Sequence, residues 1–182
     1  MDRKIDAIGN IIWDNTIGGS SSDVYARVIM ANDSGYLIGG VSLSGIGMDK
    51  TQPQIGTYDY WIVKLTTDGD IVWDKTIGGG NFDYFTTIIN TNDNNYIVGG
   101  YSNSGISGNK TEASHGYEDY WILKINELGN IVWQKTIGGW GNEYLREIIQ
   151  TNDNGFALIG ASNSLASFEK TEDLIGLGTS PD

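Results

Sequence analysis

Gly129 to Gly139 reads GNIVWQKTIGG, and the chain writes this stretch three times. Gly69 to Gly79 is GDIVWDKTIGG and Gly9 to Gly19 is GNIIWDNTIGG, so the tryptophans fall at Trp13, Trp73 and Trp133, a period of 60 residues. A fixed period of this size marks a repeat architecture, in which each unit buries an apolar face against the next. Three units, about 1–60, 61–120 and 121–180, account for nearly all of the 182 residues, so the chain reads as one repeat domain.

Outward from that stretch, each unit holds four strand-like segments. In the middle copy these are Tyr84 to Thr91 (A), Asn95 to Ser102 (B), Asp119 to Asn126 (C) and Asn130 to Ile137 (D). Asn92-Asp93-Asn94 between A and B, and Glu127-Leu128-Gly129 between C and D, carry the residue types that tolerate the positive φ of a tight hairpin. The 26 glycines and 2 prolines, with apolar runs of Ile, Val, Tyr, Trp and Thr, favour strands and turns. No window shows a capped 3.6-residue period, so the fold is expected to be all-β. Trp121, Leu123 and Ile125 oppose Tyr120 and Ile122 along one strand, a pattern of sheets covered on both faces.

Four-stranded sheets stacked face to face around an axis are the blades of a β-propeller. Gly39-Gly40 and Gly99-Gly100 ending strand B, Tyr60 and Tyr120 opening strand C, and Trp13, Trp73 and Trp133 in strand D resemble the kelch-type blade. Ser107 to Glu112 (SGNKTE), Asp119 to Asn126 (DYWILKIN), the GNIVWQKTIGG stretch and Ile148 to Asp153 (IIQTND) resemble the tandem repeats of secreted flavobacterial proteins. That resemblance implies a propeller in a secreted or surface-attached bacterial protein and brings no established reaction. The runner-up fold is a β-trefoil, which also builds twelve strands from three four-stranded units. The 14-residue B–C loops (Gly45 to Tyr58, Gly105 to Glu118) and the doubly covered strands weigh against it.

The repeat phase puts strands A and B of the last copy at 143–162 and aligns residues 1–17 with strands C and D. Propellers have about 4–8 blades. Head-to-tail pairing of two chains, each completing the other's seam blade, is therefore expected to close a six-bladed homodimeric ring; the alternative is that the chain is a fragment of a longer protein.

Net charge is −12, with 23 acidic and 11 basic residues and no Lys/Arg stripe, which disfavours nucleic acid and anionic membranes as partners. No apolar run is long enough for a membrane helix, and no signal peptide opens this chain. With no cysteine, thiolate catalysis, Cys-ligated metal and disulfides are excluded.

Strand alternation places the B–C loops and the D–A connections on one rim. Long irregular connections on a rigid scaffold are where binding concentrates, so this rim is the expected working face. Trp140 breaks the repeat, replacing Ser20 and Gly80, and suits stacking on a sugar or anchoring a protein; its other use is to fill a gap or the dimer seam. Tyr58, Tyr117 and His115, the only histidine, lie on the same loops. Asp59 and Asp119 open strand C, while Asp23, Asp83 and Glu143 follow the Gly-Gly turns. Recurring carboxylates at strand openings accept backbone N–H groups, or else line a repeated ligand site. The spacing lacks the Asp-x-Asp-x-Asp-Gly pattern of a calcium loop, and no metal or cofactor is expected.

Gly105 to Thr111 lacks the glycine before the lysine and the following helix of a phosphate loop. Ala31 to Gly35 and Thr151 to Gly155 resemble the structural Asp-box turn of sialidase propellers, whose arginine triad has no recurring counterpart here. No nucleophile–base–orienter set can be assembled. The sequence thus points to a non-catalytic module recognising a protein or glycan. The alternatives are a structural spacer of a surface protein and, third, a glycoside hydrolase built on paired carboxylates.

Overall fold

The computed structural model describes residues 2–173. Twelve strands follow in order: β1 (Asp2–Ile5), β2 (Ile11–Asn15), β3 (Asp23–Met30), β4 (Tyr36–Ser42), β5 (Asp59–Leu65), β6 (Ile71–Ile77), β7 (Asp83–Asn90), β8 (Tyr96–Ser102), β9 (Asp119–Ile125), β10 (Ile131–Ile137), β11 (Glu143–Gln150) and β12 (Phe156–Ser162). Among the described residues there is no helix, and so none long and apolar enough to cross a membrane. β3-β4-β5-β6 and β7-β8-β9-β10 form two four-stranded antiparallel sheets, flanked by the hairpins β1-β2 and β11-β12. Every sheet is a simple meander, and none of those described closes on itself as a trefoil barrel would.

The turns follow the residue chemistry. Ser34, Asn94 and Asn154 take φ of 70°, 60° and 65° in the A–B turns, and Gly9, Gly69 and Gly129 take φ of 92°, 89° and 74° in the C–D turns. These are left-handed positions that Asn and Gly occupy at low cost.

Consecutive sheets pack face to face, with β7 lying against β3, β4 and β5, and β11 against β7, β8 and β9. The double glycine explains how they approach. The second glycine sits opposite a register shift in strand A, where a side chain on Gly40 or Gly100 would strike the carbonyl oxygen of Val24 or Tyr84. The first makes room for the neighbouring sheet: a Cβ on Gly39 would meet the ring of Phe85, and one on Gly99 would meet Ile148 and Leu145. Trp61, Trp121 and Tyr60 are fully buried, and the Tyr60 hydroxyl donates across the sheet-to-sheet gap to the Trp121 carbonyl at 3.2 Å.

In the first two copies of the repeated stretch, the tryptophan ties its sheet to the next at the outer edge. Trp13 Nε1 donates to the Thr67 carbonyl (3.0 Å) and Trp73 Nε1 to the Glu127 carbonyl (3.2 Å), each in the following sheet's C–D turn. Near the inner edge, Arg27 of β3 forms an ion pair with Glu147 of β11, which also accepts from Thr87 Oγ1 of β7 at 2.7 Å. These residues hold the same position in three copies, so the three A strands face a common line.

Candidate functional site: the long-loop rim

The rim is held by buried polar groups that recur in each unit. Lys50 and Lys110, which the sequence places in solvent-facing loops, are about 1% exposed. Lys110 Nζ donates to Thr136 Oγ1 (2.9 Å) and lies 5.6 Å from the centre of the Trp121 ring; Lys50 repeats this with Thr76 and Trp61 (5.1 Å). A cation seated on an indole face is attracted by the ring quadrupole, which offsets part of its desolvation. Burial still pulls the Lys110 ammonium down to about 8, against the opposing pull of Asp83, Asp119 and Glu112. The first two B–C loops are thereby pinned to strand D of their own sheets.

The recurring carboxylates work on the turns. Asp59 accepts from the N–H groups of Ile55 (2.8 Å) and Gly56 (3.1 Å), and Asp119 accepts from that of His115. Asp23, Asp83 and Glu143 accept from Gly19 (2.6 Å), Gly79 (2.7 Å) and Gly139 (2.8 Å) in the D–A connections. Asp59 and Asp119 are fully buried, so these two candidates brace the loops and do not face a ligand on the surface. Asp119 and Glu143 crowd the same point: a Cβ on Gly138 would meet oxygens of both. Burial, reinforced by Glu143, raises the Asp119 carboxyl to about 6. Burial also pushes Glu143 upward, yet the Ser164 hydroxyl, the Gly139 N–H and Ser162 hold it below its ordinary value. Asp83 is likewise raised by burial, with Asp59 nearby acting in the same direction.

The exposed surface of the rim is aromatic and apolar. Trp140 is 68% exposed, and its ring centre lies 4.9 Å from that of Phe168. His115 stacks on the same Phe168 at 4.2 Å and 21°. Trp140 N–H donates to Ser167 Oγ at 3.1 Å, and His115 Nε2 lies 3.4 Å from Glu169 Oε2. Tyr117, 72% exposed, is tied to the same corner by its N–H bond to the Gly141 carbonyl at 2.9 Å. Trp140 and His115, 25 residues apart in sequence, thus meet through Phe168. Tyr58 belongs elsewhere on the rim. Its ring lies 5.4 Å from Phe82 and 5.1 Å from Tyr84, which begins a half-buried row continued by Tyr101 and Tyr144 at spacings of 5.1 and 5.0 Å.

Phe168 was not legible as a site residue. Its backbone is left-handed at φ 51°, a conformation shared by the equivalent Met48 (54°) and Gly108 (54°), so it belongs to the repeated loop, and what sets Phe168 apart is its ring. The loop tips of the other copies are also apolar and exposed, with Ile46, Met48 and Ile106 on the same rim. Among the described residues no three His, Cys, Asp or Glu side chains converge as metal ligands.

Compared with protein-family models and with curated proteins, the chain matches none.

Proposed function

We propose that this chain is a non-catalytic recognition module, a propeller whose ring two copies close into six blades, and that it holds a protein or glycan ligand on its long-loop rim. The observation that carries this reading is the Trp140–Phe168–His115 cluster, in which two loops from adjacent units are braced from within and present aromatic faces to solvent. A flat ring on a rigid loop stacks on the apolar face of a sugar, or anchors an apolar side chain, at little entropic cost. Tyr117 widens the same platform. Asp119 acts indirectly by fixing the loop that carries His115 and Tyr117, Asp59 braces the separate loop that carries Tyr58, and no hydrolytic step is assigned to the recurring carboxylates. In this reading the module works outside the cell or on its surface, an expectation drawn from the resemblance to secreted tandem repeats.

The test is a glycan array together with a pull-down from surface extracts, run with the parent and with Trp140→Ala and Phe168→Ala variants. Loss of a parent ligand in both variants supports the proposal, and undiminished binding by both refutes it. A second reading, a spacer in a surface array, is favoured by the edges of β1 and β12 that pair with no further strand among the described residues, and it predicts no ligand in either screen.

A further inference from the structure

Each complete four-stranded sheet fastens its A–B half to its C–D half by the same ties. A lysine in strand C reaches the aspartate of the A–B turn: Lys64 to Asp33, and Lys124 to Asp93 at 2.6 Å. A loop lysine after strand B reaches a threonine in strand D: Lys50 to Thr76, and Lys110 to Thr136. The hairpins β11-β12 and β1-β2 carry these ties as separated halves. Asp153 and Lys170 accompany β11-β12, while Lys4 and Thr16 accompany β1-β2. Within one chain the halves are diverted to other partners. Among the described residues Asp153 accepts from Thr151 and Gly155 of its own turn, Lys170 donates to the Glu172 carbonyl, and Lys4 reaches the Thr67 carbonyl at 3.4 Å. Thr16 is exposed, whereas Thr76 and Thr136 are buried.

The sheet-to-sheet tie shows the same gap. Trp13 and Trp73 each donate to the next C–D turn, but Trp133, 37% exposed, has no such carbonyl among the described residues. The corresponding carbonyl belongs to Ala7, in the β1-β2 turn. Beside it, a Cβ on Gly9 would meet nothing within 4 Å, whereas one on Gly69 or Gly129 would meet Trp13 or Trp73.

The faces agree. A groove of about 510 Å³ lies between β1 and the face of β3-β4, lined by Asp2, Tyr25, Val28 and Ile38 among others. Tyr25 and Val28 hold the positions of Phe85 and Ile88, which the preceding sheet buries. Ile159, 67% exposed, replaces the spacing glycine of the other copies.

We infer that β12 of one molecule adds to β1 of a second copy of this chain in the register that β8 holds on β9. This pairs Asp153 with Lys4, Lys170 with Thr16 and Trp133 with the Ala7 carbonyl. In that register Phe156 stands opposite Ile5, Leu158 opposite Arg3 and Ile159 opposite Asp2, so Ile159 enters the groove beside the second copy's Tyr25. A second copy is the fitting occupant because each molecule offers both the edge and its complement, in strand direction, charge and hydrogen-bond donors. The inference rests on the ring closure proposed above and gives it a register.

The experiment uses the full chain, which has no native cysteine. Sedimentation of the parent at ten micromolar is expected to give twice the chain mass of 19.8 kDa. Chains carrying Arg3→Cys and chains carrying Leu158→Cys, mixed and oxidised, are expected to form a disulfide-linked dimer that neither yields alone. Independently, Lys4→Glu and Asp153→Lys should each weaken the dimer by about tenfold, since both seams lose an ion pair, and mixing the two variants should restore it. A parent of single-chain mass overturns ring closure and the register together. A parent dimer with no Cys cross-link and no rescue on mixing overturns the register alone.

Discussion

Replacing Gly39 by alanine tests how the sheets are spaced. The added methyl would stand against three ring carbons of Phe85, the farthest of them 3.0 Å away, where carbon atoms rest at about 3.5–4.0 Å. Phe85 is buried and sits edge-on to Tyr60 at 5.9 Å and 85°, so the ring has no free direction of retreat. Overpacking of this kind costs about 1–3 kcal/mol, and a rigid ring places Gly39→Ala at about 2–3 kcal/mol. Gly99→Ala is the internal control. Its methyl would meet the flexible tips of Ile148 at 2.6 Å and Leu145 at 2.7 Å, which can swing aside. Relief of backbone entropy returns about 0.5–1 kcal/mol in either variant, so Gly99→Ala should cost about 1 kcal/mol or less. Urea unfolding of both variants, and of Gly39→Ala combined with Phe85→Leu, measures the difference. A shorter, branched side chain at 85 should recover at least about 1 kcal/mol of coupling. Equal losses in the two alanine variants, or strict additivity in the double variant, would refute the packing argument.

Trp140→Ala should leave stability within about 0.5 kcal/mol of the parent, because the ring is mostly exposed, while abolishing any ligand bound at the rim; thermal unfolding and the binding screen read the two effects separately. The Asp119–Glu143 pair makes stability pH-dependent. The native pair keeps a proton up to about pH 6 that the unfolded chain, with an ordinary aspartate value of 3.8, has released. Stability from this pair therefore falls as pH rises from about 4 through 6, and Glu143→Gln should reduce that slope in part in urea titrations, burial being the larger cause. Lys110 works at the other end. Its native ammonium loses its proton near 8, whereas the unfolded one holds it to 10.5, so its contribution to stability grows as pH rises above 8. Lys110→Met should remove that rise between about pH 8 and 9.5, and an unchanged difference curve would count against a desolvated lysine.

The strands were legible almost to the residue. The middle copy's expected A, B, C and D segments match β7 to β10 within one residue at each boundary, because Asn and Gly mark turns by local backbone preference and the 60-residue period checks each assignment three times. The structural use of the recurring carboxylates was also readable, since an acid at a strand opening has N–H groups within reach. What stayed hidden depends on contacts between units. Gly39 and Gly99 are required by side chains in the next sheet, which lie 46 to 49 residues away and leave no local trace. Lys50 and Lys110 look like ordinary solvated loop lysines, and only the indole beneath each, with the strand-D threonine that each lysine reaches, accounts for their burial. Phe168 was missed because its place in the aromatic cluster depends on rings in two other segments.

The contact among Arg27, Thr87 and Glu147 makes the order of otherwise interchangeable units matter. Near-identical tandem segments are prone to mispairing during folding, when one copy docks where another belongs. Here the A strands carry a cation, a neutral hydroxyl and an anion at one shared position, so a chain assembled out of turn would set that cation or anion against the wrong neighbour. Three residues thus number the copies, and a permuted gene should fold more slowly than the parent even though every copy keeps its own interior.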